Sequence, residues 1–429
     1  MTIPEGDDVR DTRAILCTYY IESNLEPRRA AELLSGEQSS GTFIAVPGET
    51  DRIRTRHAAR VVSVRHLGER PPSLPSRLSA DTVECAEVVI EYPMENVSTD
   101  ITTLMTTIAG NLFELAPLFA CRLRSLTLPT DFIAAHPGPA YGIDGTRRLL
   151  NQPTGALIGT IVKPNVGLNH DEFRDAVRAL VRTGIDLIKD DELMTSPAYL
   201  PLPDRIAIAT EEIRASEEQT GHRVMYAFNI SGDLAGLRQR HDLVVEAGGT
   251  CVMINAPIMG LPALQWLRTF AEVPIHGHRV GLAASTRHPA LGVDFTVWQQ
   301  LARLAGADHI HASGLGGKFY ETDAEVTANI NSLRQSLGDT IPPLPTLSSG
   351  QSVHTPGRTY QAIQSEDVLM LAGGGIAAHP SGPEAGVRSL RQAWEAAVAD
   401  KDVDERAASL ADEGDAALAE ALGHFPKGN

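Results

Sequence analysis

The sequence predicts an α/β protein, a C-terminal (β/α)8 TIM barrel preceded by a small α+β ferredoxin-like domain. Three observations lead there. From residue 156 onward, eight short apolar runs alternate with amphipathic stretches at intervals of roughly 25 to 45 residues. Most of those runs stop on a polar or titratable residue, which a shared barrel mouth explains and a structural core does not. Before residue 137, β-rich and helical patterns alternate on a smaller scale, and Pro137, Gly138, Pro139, Gly142 and Gly145 mark a joint. The expected division is 1–140 for the first domain, 141–400 for the barrel and 401–429 for a helical tail.

In the first domain, 14–22 reads as a strand and 26–34 as a short helix. A polar turn over 37–43 leads into extended chain, 60–67 and 84–92 are further β runs, and 102–113 has a helical pattern carrying Gly110 and Asn111. The barrel strands are predicted over 157–163, 186–192, 224–229, 251–255, 274–279, 308–311, 345–349 and 368–373. Helical periodicity lies between them, for example over 170–182, 234–247 and 323–337. Two helices, 383–399 and a peripheral, acidic, alanine-rich 404–422, complete the chain.

Composition excludes several classes. A net charge of −17 argues against a nucleic-acid groove, which needs a clustered basic surface. There is no apolar run long enough for a membrane span, and the first residues are polar and acidic, so a cytoplasmic protein is expected. Cys17, Cys85, Cys121 and Cys251 are scattered without metal spacing and read as buried free thiols. Only five of the 37 basic residues are lysines, two of them in the charged tail. The other three, Lys163, Lys189 and Lys318, stand in apolar or glycine-rich settings, where a compact amine with a movable pKa is what lysine offers over arginine.

The densest chemistry is Lys189-Asp190-Asp191-Glu192, where the second barrel strand leaves the core. Alternation puts Lys189 and Asp191 on one face, and Glu192 lies at the turn from which it can swing back. Converging acids suit a hard cation such as Mg2+, with the lysine supplying a third anionic oxygen if it carries CO2 as a carbamate. A plain Lys189–Asp191 salt bridge is the alternative reading of the same residues. Strands seven and eight end in Ser349-Gly350 and Gly373-Gly374-Gly375, where backbone amides can close on a phosphate. Arg279 and His311 offer a grip on a second anion. In the pairs His276/His278 and His309/His311, the outer members His278 and His311 sit at the strand tips, and the inner ones read equally as wall residues. Gly314 to Lys318 looks like a lid loop bearing one amine, and Phe319 stands where a P-loop needs a hydroxyl.

These segments in order, with Gly159 to Leu168, the Lys189 to Glu192 block, His278-Arg279, Asp308 to His311, Gly317-Lys318, Gly373 to Gly375 and His379-Pro380, resemble the ribulose bisphosphate carboxylase (RuBisCO) large chain. The resemblance implies a carbamylated Lys189, Mg2+ on that carbamate with Asp191 and Glu192, and an antiparallel homodimer. It further implies that Glu37, Thr42 and Asn111 complete the partner's site. Lys163 would be an acid/base, and Lys318, with Glu37 and Asn111, would contact a carboxylate.

Departures direct the reading away from carbon fixation. Asn165 replaces a second lysine beside the substrate, Leu282 a histidine, Phe43 a tryptophan and Gln351 a glycine. The sequence therefore resembles a RuBisCO-like protein. The stretches 278–289 and 318–321 are similar to the group linked with apiose catabolism, whose expected substrate is 3-oxo-isoapionate 4-phosphate; Arg287 is a candidate specificity contact or an ordinary loop arginine. The expected reaction is Mg2+-dependent decarboxylation of a phosphorylated 3-oxo sugar acid through a stabilised enediolate. Alternatives are a transcarboxylase/hydrolase of that acid, a methionine-salvage type enolase or isomerase, a true carboxylase, or a silent sugar-phosphate sensor.

Overall fold

A computed structural model describes residues 14–41 and 46–427. The chain forms two compact units, Met1–His136 with Leu282–Leu301, and Pro137–Gly281 with Ala302–Asn429.

The first unit is built on strands β1 (Ala14–Ser23), β2 (Arg60–Arg70), β3 (Val83–Pro93) and β4 (Leu118–Thr127). β1 lies between β3 and β4 and is antiparallel to both, and β2 pairs with β3, giving the order β4-β1-β3-β2 of a split β-α-β sandwich. Period-two burial drives this: Ile15, Cys17, Tyr19 and Ile21 of β1 point inward with Val88, Ile90 and Tyr92 of β3. Helices Pro27–Glu37 and Ile101–Ala109 each bury one apolar side; the second stops at Gly110, and a 3-10 turn, Asn111–Glu114, follows where one longer helix was expected. A short strand from far along the chain, Leu291–Val293, adds in parallel to β4. Buried Arg122 of β4 pins that segment by an ion pair with Asp294 and hydrogen bonds to the carbonyls of Thr286, His288 and Leu291.

The second unit is a closed eight-stranded parallel barrel of β5 (Leu157–Ile161), β6 (Leu187–Lys189), β7 (Met225–Asn229), β8 (Cys251–Asn255) and β9 (Ile275–His278), with β10 being the Leu291–Val293 strand, then β11 (His309–His311), β12 (Leu344–Leu347) and β13 (Leu369–Leu371). All eight predicted barrel strands are present. Leu157, Leu187, Met225, Met253, Leu344 and Leu369 fill the interior, and Ile143 and Leu150 of the helix Gly142–Leu150 pack with them. Gly159 is required there, since a Cβ would lie 2.7 Å from Leu371 and 2.9 Å from the Leu187 carbonyl. Capping boxes start the helices His170–Val181 (Asn169 with Glu172) and Asp323–Arg334 (Thr322 with Glu325). The expected single tail helix is two, Val403–Asp412 and Ala417–His424, because Gly414 sits at φ +95° between them. The second is not peripheral: it buries Ala417, Leu418 and Ala421, and its Ala417 carbonyl lies 2.9 Å from His379 Nε2. All four cysteines are free and buried.

Candidate active site

The end of β6 carries the site. Lys189 is 1 % exposed, and its Nζ lies 2.9 Å from the Asp190 carbonyl and 3.4 Å from Glu192 Oε2. Burial outweighs the neighbouring carboxylates and holds this amine below the ordinary lysine range. The plain Lys189–Asp191 salt bridge, the alternative reading of these residues, is not formed; the ion pairs are Lys189–Glu192 and Lys163–Asp191. Asp191 Oδ2 is 3.2 Å from Lys163 Nζ at the end of β5, while Oδ1 accepts from the Leu193 amide. Lys163 Nζ also lies 2.5 Å from Asn165 Oδ1, so the asparagine that replaces the second lysine is a direct partner of the first.

Asp190, left without a role by the sequence reading, is what fixes this strand end. Its buried carboxylate accepts from Tyr226 Oη (2.8 Å), the Asn229 amide (2.9 Å) and the Arg205 guanidinium (3.1 Å). Arg205, itself fully buried, also donates to the carbonyls of Met194, Thr195 and Leu200, and so ties down the loop after Glu192. Asn229 and Asn255, read as polar strand tips at the mouth, hold the Glu192 carbonyl at 3.2 and 3.0 Å.

Among the described residues, no three His, Cys, Asp or Glu side chains are placed to hold a metal ion. The donor set is two carboxylates and a buried amine, which fits a hard divalent cation once the amine carries CO2. Buried Asn255 Oδ1 at the end of β8, two strands along the barrel from β6, has no hydrogen-bond partner and is a further oxygen donor.

His278 is buried, with Nε2 3.5 Å from Glu192 Oε2 and Nδ1 accepting from the Val280 amide. His311 is also buried, and burial keeps both rings well below the ordinary histidine range. His311 at the tip of β11 therefore meets a ligand as a neutral ring. Arg279 pairs at 2.5 Å with Glu321, a buried acid the sequence reading did not single out. Lys318 is exposed on its loop, and its amide donates to Ser349 Oγ at 3.0 Å, so Ser349 anchors the loop. Gly350, at φ +72°, lies against Lys318. Gly373-Gly374-Gly375 open a short helix, Gly373–Ala377; Gly373 faces Lys163 Cε, and Gly374 has open space where a side chain would be. In the first unit Glu37 and Asn111 are exposed, and the Gln38 amide links their segments by meeting the Thr107 carbonyl and the Asn111 amide. Thr42 and Phe43 lie outside the described residues. Among the described residues no helix is long and apolar enough to cross a membrane.

Models of the ribulose bisphosphate carboxylase large chain match this sequence, the N-terminal domain over residues 5–132 and the catalytic domain over 142–424. A 3-oxo-isoapionate-4-phosphate transcarboxylase/hydrolase of Xanthobacter autotrophicus is 43% identical over 92% of this chain and 96% of its own. A 3-oxo-isoapionate-4-phosphate decarboxylase of Rhizobium rhizogenes is 40% identical over 93% and 98%. Among solved structures, a rubisco-like protein from Burkholderia fungorum, 38% identical, superposes with a TM-score of 0.90 over 96% of this chain and all of the other.

Proposed function

This chain belongs to the ribulose bisphosphate carboxylase large-chain family, as an enzyme of its RuBisCO-like group, and on that premise we propose that it is a Mg2+-dependent decarboxylase of a phosphorylated 3-oxo sugar acid of the 3-oxo-isoapionate 4-phosphate type. The observation that carries this reading is the buried Lys189 amine 3.4 Å from Glu192, with Lys163 on Asp191 beside it. Retaining this cluster while replacing the second lysine by Asn165 keeps the means to stabilise charge and changes the proton transfers around it. Lys189 as a carbamate, Asp191 and Glu192 would hold the metal, which when bound supplies positive charge to the ketone oxygen as the carbon–carbon bond breaks.

The chain's own residues do the rest. CO2 leaves, the bond's electron pair passes toward the ketone, and Lys163 Nζ delivers a proton to the carbon left behind. Asn165 and Asp191 keep that amine in place. Lys318 orients the departing carboxylate from its loop, and His278 steadies Glu192. The phosphate is assigned to the turns Ser349-Gly350 and Gly373-Gly374, with Arg279 contributing if it exchanges Glu321 for the ligand. We assign Glu37, Thr42 and Asn111 to the partner's site in an antiparallel homodimer, and the cytoplasm as its place.

The Xanthobacter relative favours a second reading, transcarboxylation and hydrolysis of the same acid. The chain, Mg2+ and bicarbonate are incubated with the phosphorylated 3-oxo acid and the products followed by NMR. One released CO2 and one phosphorylated ketose support decarboxylation; two carbon fragments without CO2 support the second reading. No turnover of the acid overturns both.

A further inference from the structure

Beneath the mouth, β9 and β11 carry a continuous hydrogen-bonded chain of histidines that the reaction above does not use. His309 Nε2 lies 2.8 Å from Thr146 Oγ1, and its Nδ1 lies 3.2 Å from His276 Nδ1. His276 Nε2 is 2.7 Å from His311 Nε2, and His311 Nδ1 is 3.2 Å from Ser348 Oγ at the end of β12. The three rings are 0 to 2 % exposed. Burial lowers each below the ordinary histidine range, so each is neutral and carries one ring proton.

The far end decides where those protons sit. Thr146 Oγ1 is 2.6 Å from the Gly142 carbonyl, which can only accept, so the threonine hydrogen is committed there. Asp308 holds that turn by accepting from the amides of Ala140, Tyr141 and Gly142. With its hydrogen spent, Thr146 accepts from His309, which must be protonated on Nε2. His309 Nδ1 then accepts from His276, protonated on Nδ1. His276 Nε2 in turn accepts from His311, protonated on Nε2, and His311 Nδ1 accepts from the Ser348 hydroxyl.

We propose that Thr146 is a positioning residue that sets the proton on every member of this chain, leaving neither His311 nor Ser348 a hydrogen to donate to the mouth. A ligand group on this side must bring its own proton, as a hydroxyl does and a carboxylate or phosphate oxygen does not. The chain ends on a carbonyl, so it holds protons in place and does not conduct them to solvent. Proton placement here is independent of the reaction assigned above.

The test is NMR of the full-length chain labelled with 15N-histidine, at about pH 8, above the histidine range, with signals assigned by single His→Gln variants. Expected are Nε2–H at His309 and His311 and Nδ1–H at His276. Thr146→Val should abolish the single pattern and mix the tautomers, Thr146→Ser should restore it, and Ser348→Ala should leave His276 and His309 as they are. Inorganic phosphate should not move the His311 proton. A proton on His276 Nε2, an imidazolium among the three, or a folded Thr146→Val with the pattern intact overturns the proposal. So does a phosphate-induced proton on His311 Nδ1. If Thr146→Val does not fold, the native and Thr146→Ser spectra still decide.

Discussion

Single residues at the end of β6 divide into those that meet the reaction and those that hold them. Lys189→Met keeps the volume of a buried stem while removing the amine. Its turnover is expected to fall by roughly a thousandfold or more, about 4 kcal/mol of barrel-mouth catalysis, and calorimetry should show loss of bicarbonate-dependent Mg2+ binding. Normal Mg2+ uptake by that variant would remove the carbamate from the account. Lys318→Ala should slow decarboxylation by about a hundredfold while proton exchange at the substrate carbon slows far less; equal losses would contradict its carboxylate role. Arg205→Met strands the Asp190 charge, and urea titration should find it less stable by about 3 to 5 kcal/mol. The reactive lysines were legible because lysine is scarce in this chain and each sits in an unusual setting. Asp190 and Glu321 were not, since their partners Arg205, Tyr226 and Arg279 are brought to them only by the closed barrel. Position at a strand tip did not reveal burial: the rings of His278 and His311 meet edge to face 4.3 Å apart, and both side chains are buried.

At the scale of elements, the barrel strands were readable from their abrupt polar ends, and β1 and β3 from alternation. β4 escaped because Leu118 to Leu123 are buried on both faces and show no period of two. β10 is three residues long and takes its meaning from β4, which no local pattern reveals. The histidine chain ties β9, β11 and the helix Gly142–Leu150 into one pH-sensitive unit. His309 is pushed down to about 4 by burial, with Asp308 opposing and Thr146 and His276 as its neutral contacts. Its folded pKa is depressed, so its stabilising effect is complete above the ordinary value of 6.5 and is lost as pH falls through that interval toward 4. One such group accounts for about 3 kcal/mol over the window. Urea midpoints measured down that range should drop steeply for the native chain and less steeply for His309→Gln; identical slopes would show that the ring is not held neutral.

For the whole molecule, the proposed dimer makes a stoichiometric forecast. Lys189→Met and Glu37→Gln chains, each inactive alone, are unfolded together and refolded as a mixture. If each site draws on both subunits, random pairing returns about a quarter of native activity, because half the dimers are mixed and one site in each is intact. No recovery from verified mixed dimers would assign Glu37 to its own subunit or to no site. The Leu291–Val293 strand has a consequence for biogenesis. The sheet that starts at Ala14 receives its last strand, and Arg122 the carbonyls of residues 286 to 291, only after five barrel strands have been synthesised. A nascent chain stalled before that point exposes the outer margin of β4 with an uncompensated guanidinium, a state suited to chaperone capture or misassembly on the ribosome.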